Sequence, residues 1–289
     1  MSTRFEDGRQ VEPTSGMRRV SLDELHTIQR SILERFDRFC AVSDLTYMLA
    51  AGTLLGAVRH EGFIPWDDDV DVMLPRADFD RLVSMCDALE KATQLHFRAQ
   101  NGPHDGYPYP FAKLMEPDTL LIESHETGTP LGLGINIDVF PLDGWPDGTP
   151  ARRGRELALN ALHRAVVAKI APSRGSGAKR LVARATSVVL GIVPVGRVAA
   201  QLTRLGSKTP FGTSRSAGII VWGYQERVPT DAYLPPKPLR FEGLTLRGPR
   251  DPDAVLTQLY GDYLTPPPPE ARVLPHDPRA YVEDAQRDA

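Results

Sequence analysis

The chain has 289 residues, of which 41% are hydrophobic and 25% charged. That composition supports a substantial core plus a sizeable addition, and it excludes wholesale disorder. The formal net charge of −3 averages over an uneven distribution and decides nothing by itself. Two cysteines, Cys40 and Cys86, sit in helix-like segments without CxxC or Cys/His spacing, which argues against a disulfide or a zinc site. Residues 1–16 are polar and lack the apolar centre of a signal peptide. The most apolar run, 187–196, is broken by Pro194 and falls well short of the roughly 20 apolar residues that a bilayer span needs. A cytoplasmic protein is expected.

In chain order, Ser21 and Glu24 have capping-box spacing. Leu22, Leu25, Ile28, Ile32, Phe36 and Phe39 follow at helical intervals, so a helix is expected from Ser21. Residues 45–50 read as a buried strand ending at Gly52-Thr53, and a short helix is expected over 53–59. A loop with Pro65 spans 60–68, and 69–74 alternates as a second strand. Pro75 opens one helix carrying Phe79, Leu82, Val83, Cys86 and Leu89 on a single face. Strands are expected at 95–99, 111–115, 120–123 and 135–140, the last stopping at Pro141. From 151 to 208 the chain reads as helical and basic, with twelve Lys/Arg against the single Glu156. A strand at 218–222, a strand or hairpin at 239–247, a short helix near 252–260 and a stiff proline run at 266–269 complete it. There is no internal repeat. Alternating strands and helices predict an α/β or α+β core with helical additions.

The chemically informative segment is AAGTLLGAVRHEGFIPWDDDVDV, residues 50–72. Residues two apart on a strand share a face, so Asp69 and Asp71 are expected to project together while Val70 and Val72 enter the core. Two carboxylates on one face repel unless a cation neutralises them, and their oxygens suit Mg2+ or Mn2+. Asp138, between Ile137 and Val139, is expected on the polar face of another strand and completes a catalytic and metal-binding triad if that strand is the neighbour. Gly52 and Thr53 supply N–H groups and a hydroxyl for a phosphate. Metal on one side and N–H donors on the other suit phosphoryl transfer. Taken singly, a D-x-D pair is usually solvated surface, a Gly-Thr a helix start, and an Asp before a proline a turn cap; the combination is what points to a site.

The segment GTLLGAVRHEGFIPWDDDVDVMLPRADFDRL resembles the signature of the LicD family, as do FAKLMEPDTLLIE, INIDVFPLDGW and, near the end, LRFEGLTLRGPRDPDAVLTQLYGDYLTPPPPEAR. The resemblance touches four places between Gly52 and Arg272; the basic region 151–208 matches no motif. It implies a nucleotidyltransferase-type mixed sheet flanked by helices. The organisation expected is a disordered segment 1–20, a catalytic core 21–150, a basic helical region 151–210 and a C-terminal part 211–289 packing on the core. It further implies transfer of a substituted phosphate such as phosphocholine from a CDP-linked small-molecule donor to a glycan or lipid-linked glycan acceptor. The similar fukutin-related branch is associated with ribitol phosphate. The residues carried over are Gly52 and Thr53 as phosphate cradle, Asp69 and Asp71 for metal, and Asp138 for metal or as base. Asp67 and Asp68 share the matched WDDD run without a clear role. Arg59 and Lys113, inside matched segments, are candidates to neutralise the donor diphosphate, against the plainer reading of surface salt bridges. Trp66 and Phe63 read first as packing residues, with stacking on a base or flanking a choline cation as the alternative; His60 reads first as a structural loop histidine ahead of a substrate contact, and closure of Arg272 over the site is a lesser reading.

Two rival enzymes and one non-enzyme compete. A nucleotidyltransferase adding NMP to a small molecule or protein uses the same triad; a metal-dependent glycosyltransferase is disfavoured by the Gly-Thr and by the third acid on its own strand. A catalytically inactive membrane-surface or polymer-binding module is disfavoured by the intact acids. No nucleic-acid partner is expected. The stretch 179–205, with Arg180, Arg184, Arg197 and Arg204 among apolar residues and no acid, suits peripheral contact with an anionic membrane at the inner face.

Overall fold

A computed structural model describes residues 16–100, 102, 107, 109–122, 133–170, 195–222, 227–274 and 278–284. Helix α1, Leu22–Val42, starts where the sequence places it: the Ser21 hydroxyl accepts from the Glu24 N–H and the Glu24 carboxylate accepts from the Ser21 N–H. Its inward face buries Leu25, Ile32, Leu33, Phe36, Phe39 and Cys40, with Gln29 among them. Strand β2 is only Met48–Leu49, and α2 is Ala51–His60. The expected strand over 45–50 is cut short because the backbone before Met48 has other partners. The Leu45 N–H donates to Cys40 at the end of α1, and the Thr46 N–H donates to the Asp78 carboxylate.

Strand β3, Asp71–Pro75, leads into α3, Arg76–Ser84, and α4, Cys86–Thr93. The single helix expected after Pro75 is thus two, separated at Met85, whose N–H is shared among the carbonyls closing α3. Strands β4, His96–Arg98, β5, Ala112–Met115, and β6, Thr119–Ile122, follow. Strand β7, Asn136–Gly144, runs straight through Pro141. Alternation of N–H directions explains this: the Asp138 N–H points to Val70 and β3, so position 141 points to the opposite side. There the pairing with β5 has ended at Ala112–Val139 and that with β8, Ser216–Gly218, resumes only at Asp143. The missing proline N–H falls in that gap.

The main sheet has seven strands, β2-β3-β7-β5-β4 with β8 and then β9, Val228–Pro229, attached to the end of β7; only β3–β7 is parallel. The α/β class is as expected. Helix α1 packs on β7 and α4, α3 packs on β3 and β7, and α2 packs on β3. Where a strand was expected over 218–222, β8 ends at Gly218 and a 3-10 turn, Ile220–Trp222, takes over. The hairpin is β10, Lys237–Phe241, and β11, Leu244–Gly248, turning on Glu242 and Gly243, both at positive φ as a two-residue hairpin loop demands. Helix α7 is Pro252–Tyr260.

A second sheet was not foreseen. Strand β1, Met17–Arg19, lies inside the segment expected to be disordered, and it pairs with β12, Arg279–Glu283, which pairs with β6. In the basic region, α5, Thr149–Ile170, and α6, Val195–Gly206, pack on one another around Trp145, Leu159, Val198, Leu202 and Ile220. The apolar face of α6 is therefore spent on packing. Most of the stretch 179–205, proposed for membrane contact, and the apolar run 187–196 up to Pro194 lie outside the described residues, as do residues 1–15. Among the described residues no helix is long and apolar enough to cross a membrane.

Candidate active site

The site is built from the turn after α2. Gly52 and Gly56, four apart and hence on one helix face, leave that face bare for the returning chain. A side chain on Gly56 would collide with the carbonyl of Gly62, and a Cβ on Gly52 would come within 2.5 Å of Asp67 Oδ2. Glu61 turns the chain in the left-handed conformation, and 62–67 then runs back along α2. The acidic run that follows is gripped from α1: His26 Nε2 lies 2.8 Å from the Asp67 carbonyl, its ring stacked on Phe63 at 3.9 Å, and Gln29 Nε2 donates to the carbonyls of Asp68 (3.0 Å) and Asn136 (3.4 Å). Because these carbonyls go to side chains rather than to a ladder, β3 begins at Asp71. Asp69 thus lies just before the strand rather than inside it, and it lines the same cavity as Asp71.

Asp69, Asp71 and Asp138 nonetheless converge. In the parallel β3–β7 ladder Asp71 stands opposite Asp138, and across β7 Asp138 stands opposite Lys113 of β5. All four line one cavity of about 150 Å3 with Gln29, Asp68, Tyr109, Phe111 and Asn136. Lys113, 5% exposed, donates to Asp138 Oδ1 at 2.6 Å and to Asn136 Oδ1 at 3.0 Å. Its ammonium is thus engaged with the acid cluster rather than held out for a diphosphate alone.

Carboxylate oxygens of Asp67, Asp68 and Asp69 also lie within 4.8 Å of one another, so the two acids left without a role in the sequence join the cluster. Burial, then the charges of Asp69, Asp138 and Asp67, raise the Asp71 carboxyl well above its ordinary value despite Lys113. Burial and the charges of Asp69 and Asp68 push Asp67 up to about 8. Buried carboxylates crowded with like charge, whose ionised form is disfavoured, are a donor set for a hard divalent cation such as Mg2+ or Mn2+. The Gln29 Oε1, buried and lining the same cavity, has no hydrogen-bond partner among the described residues, which leaves an acceptor for a water or hydroxyl there.

Gly52 and Thr53, expected to cradle a phosphate, hold the acids instead: Asp67 covers Gly52, and the buried Thr53 hydroxyl accepts from the Asp71 N–H at 2.8 Å. Neither lines the cavity. Arg59 is also outside it. Its NH1 donates to the Tyr263 carbonyl and its Nε to His60, both at 3.0 Å. Gln29 and Asn136 also line the cavity, though no motif marks them. Gln29 did carry a signal, as the polar residue on the apolar face of α1.

Residues 44–143 match the family model described as LicD/FKTN/FKRP, nucleotidyltransferase domain. Over 275 residues, covering 92% of this chain and 100% of the relative, the sequence is 26% identical to the lipopolysaccharide cholinephosphotransferase LicD of Haemophilus influenzae. An uncharacterized protein of Rickettsia prowazekii is 38% identical over 64 residues, 22% of this chain and 21% of that one.

Proposed function

From residues 44–143, a LicD-type nucleotidyltransferase domain, and the cavity it builds, we propose that this chain is a transferase of phosphorus-containing groups that moves a substituted phosphate, phosphocholine or a similar phospho-alcohol, from a CDP-linked donor to a hydroxyl of a cell-surface glycan or its precursor. The observation that carries the reading is the alignment of Asp71, Asp138 and Lys113 on three adjacent strands around one cavity. The relative that aligns over its whole length is a cholinephosphotransferase acting on lipopolysaccharide.

Asp69, Asp71 and Asp138, with Asp67 and Asp68 adjoining, are the residues that would hold Mg2+ or Mn2+. Such an ion supplies neutralisation of the donor phosphates and of the departing nucleotide. Asp138 takes the proton of the acceptor hydroxyl as its oxygen attacks the outer phosphorus, and the bond to CMP breaks. Lys113 fixes the orientation of Asp138 through Oδ1 and adds positive charge beside the phosphates. Tyr109, Phe111 and Phe140 wall the cavity and limit water, which would otherwise compete with the acceptor. Gly52 and Thr53 act one step back, holding Asp67 and the start of β3.

Incubation with magnesium, a glycan acceptor and a panel of CDP-alcohols and nucleoside triphosphates tests this. CMP release from a CDP-alcohol is the expected result. Pyrophosphate release from a triphosphate, with no CMP from any CDP-alcohol, replaces the reading by nucleotidyl transfer, which the family model's description favours as the second reading. A cytoplasmic enzyme meeting a lipid-linked precursor at the anionic inner face of the membrane belongs to the same proposal. Flotation with anionic and neutral liposomes at low and high salt tests that part, and equal behaviour in all conditions removes it.

A further inference from the structure

Arg59 lies seven residues beyond Gly52 on α2, about 10 Å farther along the helix axis and outside the lining of the acidic cavity. There it meets the proline-rich segment that follows α7. Arg272 from that segment donates Nε to the Pro267 carbonyl at 2.9 Å and lays its guanidinium 5.0 Å from the centre of the Trp66 ring. The His60 ring stands edge-on to the same indole, centroids 6.4 Å apart, and accepts from Arg59 Nε at 3.0 Å.

Among the described residues no carboxylate pairs with either guanidinium. Asp253 accepts from the Tyr263 hydroxyl at 2.6 Å, and Asp262 from the Thr265 hydroxyl at 2.8 Å. Glu61 and Glu270, though next to the cluster in sequence, are exposed and bridge to neither arginine. Burial and then the charge of Arg272 pull Arg59 below its ordinary value, and burial and Arg59 do the same to His60.

Two like charges are therefore held together by backbone carbonyls and an aromatic face, with no carboxylate among the described residues paired to either. Arg59 is anchored through Nε and NH1 and Arg272 through Nε, so the remaining N–H groups of both are donors held in place. Guanidinium N–H pairs match the oxygen spacing of a phosphate, and a donor set fixed beforehand loses little entropy on binding.

We propose that Arg59, His60, Trp66 and Arg272 form a second binding site, for a phosphate-ester anion, distinct from the acidic cavity. A nucleotide and a phosphorylated saccharide both present the same dianionic ester to the two arginines. Trp66 immediately precedes Asp67, so one loop connects this site to the acids. Read as a substrate subsite, it rests on the phosphotransferase reading; as an anion site it stands without it.

The test is calorimetric titration of the full chain in EDTA, with inorganic phosphate, CMP and glucose 6-phosphate as separate probes. Binding weakened tenfold or more by Arg272→Gln and by Arg59→Gln, and unchanged by Arg240→Gln on the exposed hairpin, is the expected result. A tenfold preference for glucose 6-phosphate assigns the site to a saccharide, the reverse preference to a nucleotide, and equal binding to the phosphate alone. Absence of binding by all three probes, or binding that Arg272→Gln leaves intact, overturns the proposal. Arg272 is exposed, so its variant decides the matter even if Arg59→Gln melts early. Because neither metal nor turnover enters the measurement, its failure is separate from failure of the phosphotransferase reading.

Discussion

Asp138 and Asp143 stand five residues apart on β7, and the same parallel neighbour, β3, runs beside both. At the far end, Arg76, the residue after β3, gives Asp143 two hydrogen bonds, Nε to Oδ1 at 2.9 Å and NH2 to Oδ2 at 2.6 Å, and Asp143 is fully buried. At the near end Asp138 faces another acid, Asp71, in register and shares one ammonium, that of Lys113, with a cluster that also contains Asp69 and Asp68. A carboxylate that holds a fold together gets a guanidinium fork of its own. The carboxylates proposed for chemistry are crowded with their own kind, a repulsion that a bound cation would relieve. On the proposed function, the two ends of one strand pair separate structural from reactive aspartates without any difference in residue type.

The largest effect that tests this contrast is on turnover. Asp69→Asn and Asp71→Asn are each expected to lower it by about a thousandfold or more, the scale of removing preorganised charge at a reacting phosphate. The fold stays intact, and the metal-free melting temperature rises as repulsion is removed; near-normal rates with saturating donor would sink the assignment. At the other end, Arg76→Met strands a buried carboxylate and is expected to cost about 3–5 kcal/mol of stability, read by denaturant unfolding. Turnover per folded molecule should hardly change, whereas a selective loss of rate would show that the two ends are not separate. Asp138→Asn is expected to cut the maximal rate by about a hundredfold or more while donor binding weakens far less. The opposite split, partly rescued by added magnesium, would make Asp138 a metal ligand only.

The pH dependence follows from the raised carboxyls. Asp67, pushed up to about 8, and Asp71, also raised, bind a proton more tightly folded than unfolded. Below about pH 4, where the unfolded groups are protonated too, they cost the fold nothing. As pH rises toward their folded values, each proton bound by the folded chain and not by the unfolded one removes about 1.4 kcal/mol per unit, and above those values the penalty is constant. The metal-free protein should therefore lose melting temperature between pH 5 and 8, more steeply than Asp71→Asn does, and magnesium should flatten the slope. A flat profile without metal would mean that the acids are not crowded in solution.

The smallest effects are at the start of α2. Ala51 has φ +41, a left-handed conformation that costs a non-glycine residue about 1 kcal/mol. Ala51→Gly relieves that strain but frees the unfolded chain, so a change within about 0.5 kcal/mol and full turnover are expected. Gly52→Ala, whose methyl meets the Asp67 carboxylate, should instead reduce turnover. Equal behaviour of the two variants would remove Gly52 from the support of the acids.

Much of this architecture is legible locally. The capping box at Ser21, the helix over 252–260 and the hairpin around Glu242-Gly243 each follow from signals within a few residues. The break at Met85 was not legible, because the apolar face continues across it. Nor was the passage of β7 through Pro141, which depends on where the neighbouring strands end. Strands β1 and β12 pair across nearly the whole chain, Met17 with Glu283, and each alone is too short to announce itself.

The candidate site divides the same way. Alternation along INIDV put Asp138 on a polar face, and the acids around Asp71 marked the chemistry, because side-chain direction on a strand is a local property of the backbone. That Asp71 meets Asp138, that Lys113 turns to Asp138, and that Gln29 reaches Asp68 and Asn136, 39 and 107 residues away, was decided by the ladder register and by the packing of α1. Those choices belong to tertiary structure, since no periodicity within a segment records which other segment will supply its hydrogen bonds.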